Sequence, residues 1–256
     1  MMSSCNRTAR ILCGLMLFLL ASVAYAQNLN PDQKRRAESL MAIWENSTIV
    51  KQYGYAQNIG DNRGVTFGWY GATTADGDAI PLYDRFEAMH PNNPLTPFAD
   101  QIHGRNVTDE AGFIQAIHDS DAGEFQADFE AAQDAQANVE YYQPAVQQAA
   151  QLGLQSAAGL AELYDSEINH GTDGVQAMVN QTNNDMGGSP ANGVDEVRWL
   201  DHYLDVRYTV LAADPTWKTS TDRATIFKSQ IVDAGNLNLD GPIHIDSPQY
   251  GSYDIP

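Results

Sequence analysis

The sequence predicts a mainly α-helical protein with one small β-sheet (α+β), and three observations carry that prediction. Apolar residues recur at i, i+3, i+4 and i+7 through much of the chain. Residues 59–71 break that period with turn formers followed by Val65-Thr66-Phe67-Gly68-Trp69-Tyr70-Gly71. The 256 residues are 43% hydrophobic and 18% charged, which suits one domain or two tightly joined lobes.

The elements follow in order. Asn30-Pro31-Asp32 starts a helix: a side-chain cap, then a proline where no amide hydrogen is needed. Ala37, Leu40, Met41 and Trp44 form its apolar stripe, which ends at Glu45-Asn46. Residues 59–71 read as strand-turn-strand, and from Pro81 onward the pattern is nearly all helical. Leu82, Tyr83, Phe86 and Met89 mark one helix. Residues 124–152 are rich in Ala and Gln, and Pro144 must start or break a helix there. Leu160, Leu163, Tyr164 and Ile168 mark a helix that His170-Gly171 closes. Val197, Leu200, Tyr203, Leu204 and Tyr208 mark a long one after the Gly-rich loop 187–193, and a last helix spans 222–233. No repeat or linker divides the chain.

Residues 1–26 read as a secretory signal. Arg7 and Arg10 precede an apolar run from Ile11 to Ala24, and Ala24-Tyr25-Ala26 supplies a small-x-small cleavage site. The run is too short for a membrane anchor. The expected mature chain, residues 27–256, contains neither of the two cysteines, Cys5 and Cys13. It has no disulfide and must be held by its core alone. Secretion to the medium or to a periplasm both fit this segment.

The full chain carries a formal charge of −19, from 33 acidic residues against 14 basic. Losing Arg7 and Arg10 would take that to −21. Such a surface repels nucleic acid and anionic lipid and favours a polycationic partner. No phosphate loop, dinucleotide fingerprint or Gly-x-Ser-x-Gly elbow is present, so no cofactor is expected. The histidines, at 90, 103, 118, 170, 202 and 244, give no His-x-x-x-His face. Asp119-Ser120-Asp121 with Glu130 has the outline of a calcium loop but places Glu124 where glycine is needed, so no metal is expected either.

Carboxylates remain. Hydrolysis of a glycosidic bond needs one protonated carboxyl and one ionised carboxylate on opposite sides of a sugar ring. Glu45 ends an apolar stripe, where burial would raise its pKa; Asp61 sits in a turn beside Arg63, whose charge favours the ionised form. On these grounds alone the plainer reading, a helix-end glutamate and a turn aspartate, is preferred.

The local strings add to this. Glu45-Asn46-Ser47-Thr48 and Ile59-Gly60-Asp61-Asn62-Arg63-Gly64-Val65-Thr66 closely resemble the chitosanases of glycoside hydrolase family 46. In order follow Asp76-Gly77-Asp78, Tyr142-Gln143-Pro144-Ala145-Val146, Tyr164-Asp165 with His170-Gly171, Tyr203-Leu204-Asp205-Val206-Arg207 and Ala234-Gly235-Asn236-Leu237-Asn238-Leu239. The resemblance spans residues 35–245 and is weakest over 91–135. Asn62 stands where a glycine is often found, and asparagine tolerates the left-handed turn conformation.

That resemblance implies a two-lobed, lysozyme-like catalytic domain over residues 27–256 with a cleft between its lobes. It implies an endo-acting enzyme that cleaves β-1,4 links between glucosamine units of chitosan with inversion. Glu45 then matches the general acid, Asp61 the general base and Thr66 the residue that helps hold the attacking water. Asp78 matches a carboxylate that binds a glucosamine amino group; Asn46, Tyr55, Arg63 and His170 match other cleft positions. Asp165, Arg207 and Arg223 match a buried ion network behind the acid. Chitosan is itself a polycation in mildly acidic water, which suits the acidic surface. A monomer is expected, without nucleic-acid or membrane partners. Two alternatives stay open: hydrolysis of another amino-sugar polymer, such as chitin or peptidoglycan, and carbohydrate binding without catalysis on the same fold.

Overall fold

Helix α1 (Pro31–Asn46) begins where the sequence predicts. Asn30 Oδ1 accepts from the Gln33 amide at 3.0 Å, and Gln33 Oε1 accepts from the Asn30 amide at 3.0 Å. The Ala37, Leu40, Met41 and Trp44 stripe is buried, and Ser47 ends the helix in the left-handed region at φ 52°. Glu45 therefore sits in the last turn. This computed structural model describes residues 28–256; the expected signal, residues 1–26, lies outside the described residues.

Strands β1 (Ala56–Asn58), β2 (Val65–Phe67) and β3 (Ala72–Thr73) form an antiparallel meander that pairs Thr66 with Gln57 and with Thr73. The β1–β2 turn needs positive φ at Asn62 (69°) and Gly64 (77°). Asparagine meets that need as expected. At Gly64 a Cβ would collide with the Thr74 hydroxyl, which accepts from the Val65 amide at 3.0 Å. The sheet packs on α4 (Glu110–Ser120), while α2 (Ala79–Met89) packs on α5 (Gln126–Ala137) and on the short α3 (Ala99–His103). Edge-on pairs Phe67–Phe113 and Phe98–Phe113, with ring centroids 5.4 and 5.5 Å apart, fill this part of the core.

A π-turn, Asn138–Tyr142, joins α5 to α6 (Gln143–Leu152), with Pro144 in the first turn of α6. Helix α7 (Ala157–Met186) packs against α1, α6 and α8 (Glu196–Ala213). α9 (Asp222–Phe227) runs into a second π-turn, Lys228–Val232, over the span predicted as one helix. The sheet with α2–α5 makes one lobe; α1, α6–α9 and the C-terminal strands make the other.

His170-Gly171 ends a helix as expected: Gly171 is non-helical (φ 65°, ψ 171°), and α7 is two helical segments joined across that kink, the second running to Met186. Two expectations need correction. Met89, the last residue of α2, is exposed (42%), and so are Val197 and Tyr208 (38 and 45%), because the buried stripe of α8 runs instead through Trp199, Leu200, Tyr203, Leu204, Arg207 and Leu211. The chain is also not all helical after Pro81. β4 (Ile243–Ser247) and β5 (Gly251–Ile255) form an antiparallel hairpin, with Ile243, Ile245 and Ser247 buried at a period of two. No helix among the described residues is long and apolar enough to cross a membrane.

Candidate active site

The end of α1, the β1–β2 turn and the kink region of α7 converge on a cleft of about 240 Å³. Glu45, Asn46, Tyr55, Arg63 and Thr66 all line it, although 21 residues of sequence separate the first from the last. A wider apolar groove of about 570 Å³ lies between the later half of α7 and α8 and shares no lining residue with this cleft.

Asp61 stands on the cleft-lining turn through Arg63. Its Oδ2 is 2.7 Å from Arg63 Nε and its Oδ1 accepts from the Arg63 amide at 3.1 Å, a local turn that fixes the carboxylate. Partial burial pushes Asp61 up, but the Arg63 hydrogen bonds and charge outweigh it and hold the carboxyl below its ordinary value. Thr66 is buried on β2, and its hydroxyl has no hydrogen-bond partner among the described residues. Asn46 Nδ2 donates to the Trp69 carbonyl at 3.4 Å.

Glu45 is placed differently from the apolar setting expected of it. Its side chain is 21% exposed, and Oε1 lies 2.8 Å from Arg223 Nη2. Arg223 in turn bonds Asp165, Nη2 to Oδ1 at 2.7 Å and Nε to Oδ2 at 3.2 Å. Asp165 Oδ2 also receives Arg207 Nη2 at 2.7 Å. The structure thus joins Asp165, Arg207 and Arg223 in one buried network and connects it to Glu45. It adds a member that sequence reasoning missed: Glu162, one helical turn before Asp165, whose Oε1 is 2.8 Å from Arg207 Nη1.

Burial alone would raise Asp165, but the charges of Arg223 and then Arg207 reverse that and hold it at about 2. Glu162 goes the other way: burial pushes it up to about 7 against the pull of Arg207. His170 is set behind the cleft lining, where Arg207 Nε donates to its Nε2 at 3.4 Å. Burial, then the charges of Arg207 and Arg223, hold His170 down to about 3, so it is neutral near neutral pH.

The network predicts a stability effect. Asp165→Ala leaves buried Arg207 with the Glu162 carboxylate alone and buried Arg223 with the Glu45 carboxylate alone, and is expected to cost about 3–5 kcal/mol in urea unfolding. A loss below about 1 kcal/mol, the worth of an exposed pair, would contradict the arrangement. Because Asp165 is depressed when folded, its share of stability is complete above its unfolded value of 3.8 and declines as pH falls toward about 2.

Asp78 is not among the residues that line the cleft; it stands just before α2. Its Oδ1 accepts from the Thr73 amide at 3.0 Å and from Thr73 Oγ1 at 2.9 Å. Sequence reasoning also missed Trp217, which lines the cleft from the α8–α9 connection, and Tyr250, whose ring meets Trp44 edge-on at 5.2 Å. Neither belongs to a recognisable string. Nor does Gln133, fully buried, which accepts from the Trp69 amide at 3.0 Å and donates to the Tyr53 carbonyl at 3.0 Å, clamping the sheet to the loop after α1.

A mainly helical frame with a cleft beside a three-stranded sheet, lined by Glu45, Arg63 and Thr66, fits the lysozyme-like class, and the chain is a glycoside hydrolase. It belongs to glycosyl hydrolase family 46, whose model matches residues 39–243. The chitosanase of Bacillus subtilis (strain 168) is 36% identical over 252 residues, covering 93% of this chain and 90% of the relative. That of Streptomyces sp. (strain N174) is 29% identical over 271 residues, covering 94% and 95%. Among solved structures, native chitosanase from Bacillus subtilis MY002 superposes with TM-score 0.83 at 37% identity, covering 90% of this chain and 100% of that one. The Gynuella sunshinyii chitosanase, solved as a complex with chitotetraose, gives 0.82 at 33% identity, covering 90% and 99%.

Proposed function

We propose that this chain is a secreted endo-chitosanase that cleaves β-1,4 links between glucosamine units with inversion. Residues 27–256 act as one two-lobed catalytic unit once segment 1–26 is removed. The observation that carries the proposal is the cleft itself, lined by Glu45, Arg63 and Thr66, with Asp61 tethered to Arg63. Family membership and relatives that are chitosanases support it, as do complexes of relatives with 6 GlcN and with chitotetraose.

In this mechanism Asp61 accepts a proton from a water that the Thr66 hydroxyl helps to position. The water oxygen bonds to C1 while the C1–O bond to the next sugar breaks, and Glu45 gives its proton to the departing oxygen. Arg223, braced by Asp165, fixes the direction of Glu45. Arg63 keeps Asp61 ionised in the acidic water that dissolves chitosan.

Product analysis on highly deacetylated chitosan, chitin and peptidoglycan tests the substrate. Rapid release of short glucosamine oligomers from chitosan alone is expected. Retention on chitosan without any product would instead make the chain a binding protein. The formal charge of −19 adds a second expectation. Long-range attraction to a polycation is screened over about 8–10 Å near 0.1–0.15 M salt, so KM for chitosan should rise with added NaCl while kcat holds. A flat salt response would contradict electrostatic capture.

A further inference from the structure

Near Tyr70, which lines the catalytic cleft, lies a second group of charges that the reaction does not use. Asp78 stands just before α2, half-buried and held by Thr73. Glu140 comes from the π-turn between α5 and α6. Its Oε2 accepts from Gln136 Nε2 at 3.1 Å. Burial pushes both carboxyls up, and the charge of Asp78 pushes Glu140 further. The two carboxylates are therefore close enough for the charge of one to act on the other, and both are partly dehydrated.

Nothing in the chain neutralises them. Among the described residues neither carboxylate has a Lys, Arg or His nitrogen within 4.0 Å. Arg85 is directed at Gln136 Oε1, 3.4 Å away. Tyr70 adds an independent sign of a ligand. It is only 4% exposed, it lines the cleft, and its hydroxyl has no partner among the described residues. Its ring meets Tyr141 edge-on at 5.5 Å, within reach of the Glu140 and Asp78 charges.

The π-turn explains how Glu140 gets there. Its extra residue per turn rotates the chain so that Val139 points to solvent, 57% exposed, while Glu140 and Tyr141 turn inward. Such single turns cost regular hydrogen bonding and cluster at functional sites. Like charges left half-buried also cost stability unless a cation arrives from outside. A glucosamine unit brings one: an ammonium with three N–H donors, enough to bridge two carboxylates. An N-acetyl group has a single N–H and adds a carbonyl oxygen that both carboxylates repel.

We propose that Glu140 is a second amine-recognising residue, acting with Asp78 on one glucosamine ammonium while the Tyr70 hydroxyl hydrogen-bonds the same sugar. It is a specificity residue, and the proposal rests on chitosan being the substrate. Glu140→Gln removes the charge but keeps shape and a hydrogen bond to Gln136. Steady-state kinetics on fully deacetylated and partly acetylated glucosamine hexamers read the effect. Loss of one charge-assisted hydrogen bond should raise KM for the deacetylated hexamer about tenfold, with kcat within about twofold and the preference over acetylated hexamers reduced. Asp78→Asn should act in the same direction. The double variant should lose less than the product of the single effects, since both carboxylates hold one group.

Wild-type KM and preference in Glu140→Gln would overturn the assignment while leaving the chitosanase reading intact. So would a fall in kcat at unchanged KM, which would make Glu140 a positioning residue acting through Tyr141. A wild-type protein inert on chitosan would overturn both.

Discussion

Glu45→Gln is expected to lower kcat on chitosan by about 10²–10⁴-fold, the usual worth of a general acid, with KM little changed. Glutamine has the same shape, and its carbonyl oxygen can still accept from Arg223 Nη2, now 2.8 Å from Glu45 Oε1. The variant should therefore fold and bind as wild type does, and its thermal midpoint should stay within a few degrees. The proton to the departing oxygen is all that is lost. Near-normal turnover by this variant would remove Glu45 from the chemistry. A large fall in stability would instead mean that the Arg223 contact needs a full charge on Glu45.

Asp61→Asn is expected to be comparably damaging, at about 10²–10⁴-fold in kcat, because the asparagine oxygen is too weak a base to take a proton from water. The turn should survive: the Arg63 amide can still donate to the side-chain oxygen that replaces Oδ1. The pH dependence supplies a finer check. The hydrogen bonds and charge of Arg63 hold Asp61 below its ordinary value, so the base stays ionised as pH falls. Removing that charge in Arg63→Gln should move the acidic limb of kcat/KM to higher pH. An unmoved limb would mean that some other group sets it.

Much of the site is legible in the sequence because its members come in short local strings. Asn30-Pro31 fixes where α1 starts and so where its last turn presents Glu45. Asp61 and Arg63 make their contact within two residues, which needs no tertiary knowledge. Asn62 takes the left-handed conformation its position requires. What is not legible is assembled across distance. Gln133 reaches residues 64 and 80 positions away to clamp the sheet. Glu162 meets Arg207 across two helices 45 residues apart, and only its spacing of three from Asp165 hinted at a shared face. The setting of Glu45 went astray for the same reason: its stripe is apolar, but its carboxylate is met by Arg223 from α9.

The fold shows a parallel division. Long helices with regular stripes are foreseen, while features that break a period are not. The π-turns at 138–142 and 228–232 shift the phase of a helix without any proline or glycine to announce them. Gly171 reads as a stop signal and does end the first segment of α7, but the second segment that starts beyond it is not foreseen. The β4–β5 hairpin carries a clear alternation at Ile243 and Ile245, which the surrounding helical pattern masked. The first π-turn matters most for function, since it turns Glu140 toward Asp78.

The central claim is single displacement at the anomeric carbon by an Asp61-activated water with Glu45 as acid. Proton NMR of fresh reducing ends, recorded in the first minutes of hydrolysis of a glucosamine hexamer, tests it most directly. The mechanism predicts that α-anomers appear first from the β-linked chain and relax only later toward the equilibrium mixture. Initial β-anomers would contradict it, because retention requires a covalent glycosyl-enzyme and a nucleophile in place of a water-activating base.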